Sequence, residues 1–578
     1  MKIALVSTPW PLFNRPSIQL ATLKAYLREH LPGAQVHAHH FYLNIAAGLG
    51  YGLYTEISES TRLSEIPYAA LLFPELGEEM ERLWRRATRG AKEAGDMALS
   101  QVRRALERES LRALESVAWD GFDLVGLSIC LGQLTSSLYF IREIKRLAPG
   151  SRVVVGGSSC AGELGRSLMT AFPAIDHVIF GEGERPMLHL AREAASGKSV
   201  PSPFPGLLSP GDPVSPQGSS QVEDPDTLPM PDFDDYFSTL QSLPHEKAFH
   251  PRIPLEMSRG CWWRGADPDG ERGCAFCNLN LQWKDYRYKT AEKVANEIEH
   301  LASRHATTKF FFVDNNLPLW ETDKLFRHIE KHRRSYQIFL ETRASVTKKT
   351  LLLMRRAGVE DVQIGIEGLS TSYLNRIGKG TTTIQNIEIM KNCEELGINN
   401  ISNLLIGFPG ATEAEVEETL EALEYVFIYK PLRIVKFWLG YNSPVYYRAK
   451  DLGLKNIRNH PNYRYVISED LYSNLELMQK DYRFDKKKQE KIWRPVVKKV
   501  KEWKEFYRKT KERYPHIPIL KYRDAKNFLI ISRVSYDSPE SECFRLRGAS
   551  RDIYKFCDKT RSFGSISVSY THLTLPTN

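Results

Sequence analysis

Between about residues 250 and 450 the chain alternates short apolar runs with segments of helical period, and the runs end in polar residues or glycine. Lys309–Val313 ends in Asp314-Asn315-Asn316, and Gln337–Leu340 ends in Glu341-Thr342-Arg343. Asp361–Ile364 ends in Gly365-Ile366-Glu367-Gly368, and Ser402–Ile406 ends in Gly407-Phe408-Pro409-Gly410. Helices are predicted at Thr290–Arg304, Thr322–His332, Lys348–Ala357 and Thr383–Leu396, each preceding one of these strands. Strands that alternate with helices imply parallel pairing and an α/β fold. A full or partial β/α barrel is the expected form, with its site at the carboxyl ends of the strands.

The first segment, to about residue 198, alternates in the same way. Strands are predicted at Ile3–Ser7, Asp123–Ser128, Arg152–Gly157 and Ile175–Phe180, with helices at Ser17–Glu29 and Ser136–Leu147 and a helical region from Leu76 to Ser116. A doubly wound, Rossmann-like sheet follows, and such sheets bind ligands beyond their carboxyl edge. Here that edge carries Ser128, Gly156-Gly157-Ser158-Ser159 and Gly181-Glu182-Gly183-Glu184. Glycines there are expected to let a large ligand approach the backbone closely. Residues 199–249 are rich in Pro and Ser and read as a linker. The expected domains are 1–198, 250–464 for the barrel, and 465–566 for a small α/β C-terminal domain with a strand at Asn527–Ser532. The tail Val568–Thr577 resembles the translation of a transposon end used in sequencing libraries, so 567–578 is read as an artefact.

Composition sets outer limits. A chain of 578 residues suggests about three or four domains. With 42% apolar and 26% charged residues it is an ordinary globular protein. Eight cysteines are too sparse for a secreted disulfide framework. No apolar run approaches the roughly 18 residues that a membrane helix needs, and Met1–Val6 reads as a strand rather than a signal peptide. A cytoplasmic location is expected. The net charge of +9 is modest, and much of the basic excess falls between Lys486 and Arg513. There Trp493, Val496, Val500, Trp503 and Tyr507 recur at helical spacing, so a packed amphipathic helix with a solvated basic face is expected. A docking face for an acidic partner is the other reading of that segment.

Three cysteines carry the chemistry. Cys261 lies in Ser-Arg-Gly-Cys-Trp-Trp, and Cys274 and Cys277 lie in Gly-Cys-Ala-Phe-Cys-Asn. Three thiolates on one loop, with no fourth cysteine nearby, can hold a metal centre with an open position. The cysteines alone leave two centres open: an iron–sulfur cluster, or a zinc closed by a histidine or aspartate.

The cysteine loop on the first barrel strand, followed by these strand ends, resembles the radical S-adenosylmethionine (SAM) superfamily. Its usual spacing is C-x3-C-x2-C. Here the second pair keeps that spacing, while Arg264–Gly273, of turn composition throughout, widens the first gap. The resemblance implies a [4Fe–4S] cluster held by Cys261, Cys274 and Cys277, with one iron left for SAM. Reduction then cleaves SAM to a 5′-deoxyadenosyl radical able to abstract hydrogen from unactivated carbon. It places Asp314 and Asn315 near the methionyl amino group, Glu341 and Arg343 near the ribose and carboxylate, and Gly365 to Glu367 near the adenine and ribose.

The N-terminal motifs narrow the branch. Gln133-Leu-Thr-Ser136, Gly156-Gly157-Ser158 and Gly181-Glu182-Gly183 resemble the cobalamin-binding domain of cobalamin-dependent radical SAM enzymes. The family most similar is that of the C-methyltransferases that mature ribosomally made peptides. No Asp-x-His-x-x-Gly is present to supply a histidine to cobalt. The resemblance implies that methylcobalamin delivers a methyl group to a carbon radical in a precursor peptide. It also implies a reductant such as flavodoxin or ferredoxin, and neither a membrane nor a nucleic acid partner. Two alternatives stand beside it: other cobalamin-dependent radical SAM chemistry on a small-molecule natural product, or a non-catalytic zinc-binding interaction protein.

Overall fold

The computed structural model describes residues 1–61, 63–197, 201–212, 219–263, 273–279, 283, 285–538 and 541–570. Backbone contacts divide the chain into two compact units. The first comprises 1–271, 276–337 and 438–483, and the second 272–275, 338–437 and 484–578. This division cuts through the segment 250–464 that the sequence reading takes as one barrel.

The first unit is built on a six-stranded sheet. Its strands are β1 (Lys2–Ser7), β2 (Gln35–His40), β3 (Leu124–Ser128), β4 (Arg152–Gly156), β5 (His177–Ile179) and β6 (Leu207–Leu208). They lie in the order β2-β1-β3-β4-β5-β6, parallel except for the antiparallel β6. β1 is buried along Ile3 to Ser7, as a central strand covered on both faces must be. Ile3, Leu5, Leu20, Leu124, Val154, Ile179 and Met187 form one core cluster. Strand order reverses at β1, with β2 on one side and β3 on the other, and this is the switch point where such sheets open a crevice. Helix Ile18–His30 leaves β1 and is N-capped by Ser17, whose hydroxyl accepts from the Leu20 amide.

Two sequence expectations change here. The helical region is larger than Leu76–Ser116, because helices also form at Phe41–Leu49, Tyr51–Ser58 and Ile66–Leu72. The 199–249 segment is no free linker where it is described. β6 pairs with β5, Gly181 bridges to Ser220, and Leu207, Leu208, Val222 and Leu228 are buried. Apolar residues too widely spaced to show a period still seat this segment on the sheet edge. The unit also holds β7 (Ile253–Leu255), and an antiparallel pair, β8 (Ser258–Arg259) with β9 (Arg287–Tyr288). β10 (Lys309–Phe312) runs parallel to β7.

In the second unit β11 (Gln337–Arg343), β12 (Val359–Gly365) and β13 (Asn399–Asn400) are parallel neighbours. β14 (Asn403–Ile406) pairs in parallel with β15 (Arg433–Lys436), and a parallel bridge joins Glu367 to Leu404. Helices return between these strands, and three of them are capped by a threonine. Thr347, Thr382 and Thr412 cap the helices beginning at Lys348, Thr383 and Glu413, the last two in capping boxes with Gln385 and Glu415. These are the β/α repeats expected from the sequence.

In the first unit β16 (Leu439–Gly440), β17 (Lys455–Asn459) and β18 (Gln479–Arg483) form a small antiparallel sheet. The basic segment is one 28-residue helix, Lys486–Arg513, that buries Trp493, Val496, Val500 and Trp503 against helix Glu413–Leu423. β19 (Leu520–Asp524), β20 (Phe528–Arg533) and β21 (Glu542–Arg547) close the second unit as an antiparallel sheet, of which only the middle strand is expected from sequence. Among the described residues no helix is long and apolar enough to cross a membrane.

Candidate functional site

A cavity of about 330 Å³ opens at the carboxyl edge of the six-stranded sheet. Its wall takes Leu5 from β1, Gly126 to Ser128 from β3, Gly156 to Ser158 beyond β4, and Gly181 to Glu184 beyond β5. From the cysteine-bearing segment come Glu256, Ser258 and Arg259, with Val313 and Asn315 from the end of β10. Of the predicted residues, Gly156, Gly157, Ser158, Gly181, Glu182, Gly183 and Asn315 therefore line one space. Gln133 and Ser136 do not line it. They are buried, and their side chains hold the loop after β1, where Gln133 Nε2 donates to the Thr8 carbonyl at 2.7 Å and Ser136 Oγ to that of Pro9.

Two of these glycines have an immediate structural cause. Gly157 sits at φ +100°, and a Cβ there would stand 2.6 Å from the Ile129 carbonyl. Gly181 sits at φ +88°, where a Cβ would stand 2.6 Å from the Ser220 carbonyl. Loop packed against loop by itself requires glycine at these two positions.

The wall is charged at one place. Arg259 is 6% exposed and faces three carboxylates: Glu182 at 2.9 Å, Glu184 at 2.6 Å and Glu256 at 3.0 Å. Arg287, its partner across β8 and β9, reaches Glu182 at 2.7 Å. Burial works against the Arg259 charge, but Glu184, Glu256 and Glu182 outweigh it and hold the guanidinium firmly ionised. Burial would likewise raise the Glu182 carboxyl, yet Arg259 and Arg287 keep it below the usual range.

The path to Cys261 is fixed from a second side. Asp314, at the end of β10, accepts from the Met257 amide at 3.1 Å, from the Ser258 amide, and from Ser258 Oγ at 2.6 Å. Burial pushes its pKa up to about 7 despite these donors. Gly260 follows at φ +89°, where a Cβ would stand 2.9 Å from the Asp285 carbonyl. Tyr286 donates to the Asn316 carbonyl at 2.8 Å, and burial raises its pKa, with Asp314 and Cys261 adding to the effect. Cys261, Cys274 and Cys277 are half-buried. Among the described residues no three His, Cys, Asp or Glu side chains are grouped to hold a metal ion. Most of the insert, 264–272, lies outside those residues. As a donor set, three thiols suit a soft, cluster-forming metal, and thiolates are the usual ligands of iron–sulfur centres.

The second unit gathers the other predicted residues. Arg343 donates to the Lys379 carbonyl and lies 4.0 Å from Cys274 Sγ. The Ala275 amide donates to the Ile377 carbonyl at 2.9 Å, and a Cβ on Gly378 would collide with the Gly273 carbonyl. Glu367 adopts φ +60°, a left-handed conformation rare for glutamate and a form of strain that gathers at functional sites. The Glu341 pKa is pushed up to about 7 by burial and then by Glu367, with Lys379 opposing. Glu367 is raised by burial and lowered by Lys379. A Cβ on Gly365 would stand 2.5 Å from Lys379 Nζ. Lys379 is thus a site residue that the sequence reading missed. Its signal, a lysine between glycines in Ile-Gly-Lys-Gly-Thr, reads locally as a turn.

A model of the radical SAM superfamily matches residues 255–423, the stretch holding Cys261, Cys274, Cys277, Asp314, Glu341, Arg343 and Glu367. Fold and matched segment together define an α/β protein in which a segment similar to the radical SAM superfamily follows a doubly wound parallel sheet. The uncharacterized methyltransferase PH0819 of Pyrococcus horikoshii is 26% identical over 315 residues, 52% of this chain and 63% of that protein. The anaerobic magnesium-protoporphyrin IX monomethyl ester cyclase of Rubrivivax gelatinosus is 28% identical over 309 residues, 51% of this chain and 53% of the cyclase. The chain thus spans between half and two thirds of these curated relatives. Among solved structures, the radical SAM methyltransferase TsrM of Kitasatospora setae, with cobalamin and a [4Fe-4S] cluster bound, superposes with a TM-score of 0.57. The match covers 87% of this chain and 90% of TsrM at 15% identity, a likeness of fold.

Proposed function

We propose that this protein is a cobalamin-dependent radical SAM C-methyltransferase acting on an unactivated carbon of a ribosomally made precursor peptide. One observation carries the cofactor reading: Arg259, two residues before Cys261, forms part of the cavity wall together with Gly156, Gly181 and Glu182. The segment expected to hold the cluster thus borders the crevice where a doubly wound sheet binds its ligand. When bound, the cluster and corrinoid supply radical generation and methyl transfer, chemistry that no side chain offers.

The residues supply placement. Cys261, Cys274 and Cys277 ligate the cluster, leaving one iron open to SAM. Glu341, Glu367 and Lys379 present acceptors and a cation to the ribose and aminoacyl ends of SAM. Asp314 holds the backbone leading to Cys261, and the apolar wall from Leu5 to Met187 excludes water from the corrin face. A flavodoxin- or ferredoxin-type reductant delivers the electron.

The names of relatives favour a second reading, a small-molecule substrate. One curated relative is a porphyrin ester cyclase, and TsrM is also solved with tryptophan as substrate. The test is incubation of the reconstituted protein with SAM, reductant and the peptides encoded beside its gene. A peptide gaining one methyl group, located by fragmentation, supports the first reading. SAM cleavage that responds only to aromatic small molecules supports the second.

A further inference from the structure

Among the described residues, the Arg259 guanidinium makes four hydrogen bonds or ion pairs, and these go to carboxylates of the cavity wall. Nη1 meets Glu182 at 2.9 Å, Nη2 meets Glu184 at 2.6 Å, and Nε and Nη2 meet Glu256 at 3.0 Å each. Glu182 lies in the loop that leaves β5 of the six-stranded sheet and Glu184 opens the helix Glu184–Ala195 that follows it, whereas Arg259 belongs to the segment that leads to Cys261. One guanidinium therefore ties the ligand edge of the sheet to the cysteine-bearing segment.

A buried ion pair of this kind is a poor source of stability, because desolvation consumes most of the attraction. Its better-attested use is to fix register. The surroundings make that register matter. Glu182, Glu184, Glu256 and Arg259 all line the cavity, so a ligand there touches the same groups that hold the segment. On either side of Arg259 in the chain, Ser258 is anchored to Asp314 and Gly260 is packed against the Asp285 carbonyl. A shift of the guanidinium is thereby carried along the backbone toward Cys261. Contiguous networks of this type transmit coupling between sites.

We propose that Arg259 is a positioning residue that couples occupancy of the cavity to the placement of Cys261. The inference rests on reading the cavity as the corrinoid site and the thiols as cluster ligands. Coupling between two sites is reciprocal. Cluster-loaded protein then binds corrinoid more tightly than cluster-free protein.

The test is anaerobic titration of the full chain with hydroxocobalamin, before and after reconstitution with iron and sulfide, read by visible absorbance. In the unaltered protein reconstitution tightens binding by a factor in the range of roughly 5 to 150. In Arg259→Lys, which keeps the charge but loses the fork, both ligands still bind and the factor falls close to one. Glu184→Gln, which keeps an acceptor, reduces it in part. Cobalamin also alters the electron paramagnetic resonance signal of the reduced cluster in the unaltered protein and not in Arg259→Lys. An unaltered protein that binds both ligands independently, or variants that retain its full factor, overturns the inference alone. A protein that retains no iron or no cobalamin overturns the underlying reading as well.

Discussion

Lys379 Nζ stands 3.9 Å from Glu367, and it is the cation that both Glu367 and Glu341 answer to at the ends of β12 and β11. Two buried carboxylates beside one lysine leave an excess of acceptors, suited to the hydroxyls and ammonium of an aminoacyl nucleoside. Replacing the lysine removes the attraction that opposes the effect of burial on both acids. Lys379→Met is therefore expected to weaken SAM binding to reconstituted protein by about tenfold, or ~1.4 kcal/mol. Equilibrium dialysis with labelled SAM checks this, and an unchanged dissociation constant contradicts it.

The cysteines give a sharper outcome. Replacing Cys261, Cys274 and Cys277 together with alanine is expected to abolish 5′-deoxyadenosine formation while cobalamin binding persists. The cavity proposed for the corrinoid takes none of its wall from these side chains. Persistent SAM cleavage in this variant removes the cluster assignment.

Much of this was legible before any coordinates. Lys309–Phe312 and Leu124–Ser128 show as strands because burial on both faces demands an unbroken apolar run. β2 escaped notice because Gln-Val-His-Ala-His-His hides its alternation: Val36, Ala38 and His40 point inward, and histidine does not declare its face. Lys379 escaped because its role depends on strand ends that are distant in sequence. Gln133 and Ser136 look like ligand contacts in a motif, yet tertiary packing turns them onto the loop after β1.

Lys289 and Glu297 form a buried pair at 3.1 Å in the first unit, 2% and 4% exposed. Removing one partner leaves an uncompensated charge. Lys289→Met is expected to destabilise the unit by about 3–5 kcal/mol, and Lys289→Met with Glu297→Leu to recover most of the loss. Thermal denaturation of both variants checks the pair, and equal losses contradict the account.

Acid sensitivity follows from β2. Burial holds His40 down at about 3 and His39 at about 4, and among the described residues neither ring nitrogen of His40 has a hydrogen-bond partner. In the unfolded chain both titrate near ~6.5. Below that pH the unfolded chain takes up protons that the fold refuses, so stability falls as pH drops from about 6.5 toward 4. The melting temperature should decline over this window, and His40→Phe should flatten the decline. A profile unchanged by that substitution contradicts the assignment.

The most direct test of the central claim is anaerobic purification with iron, sulfide, zinc and cobalamin quantified, followed by reductant and SAM. The account predicts about four irons and four sulfides per chain, bound cobalamin, and 5′-deoxyadenosine or its methylation counterpart S-adenosylhomocysteine. Zinc without iron, and SAM returned intact, would contradict it and leave a metal-stabilised binding protein as the better description.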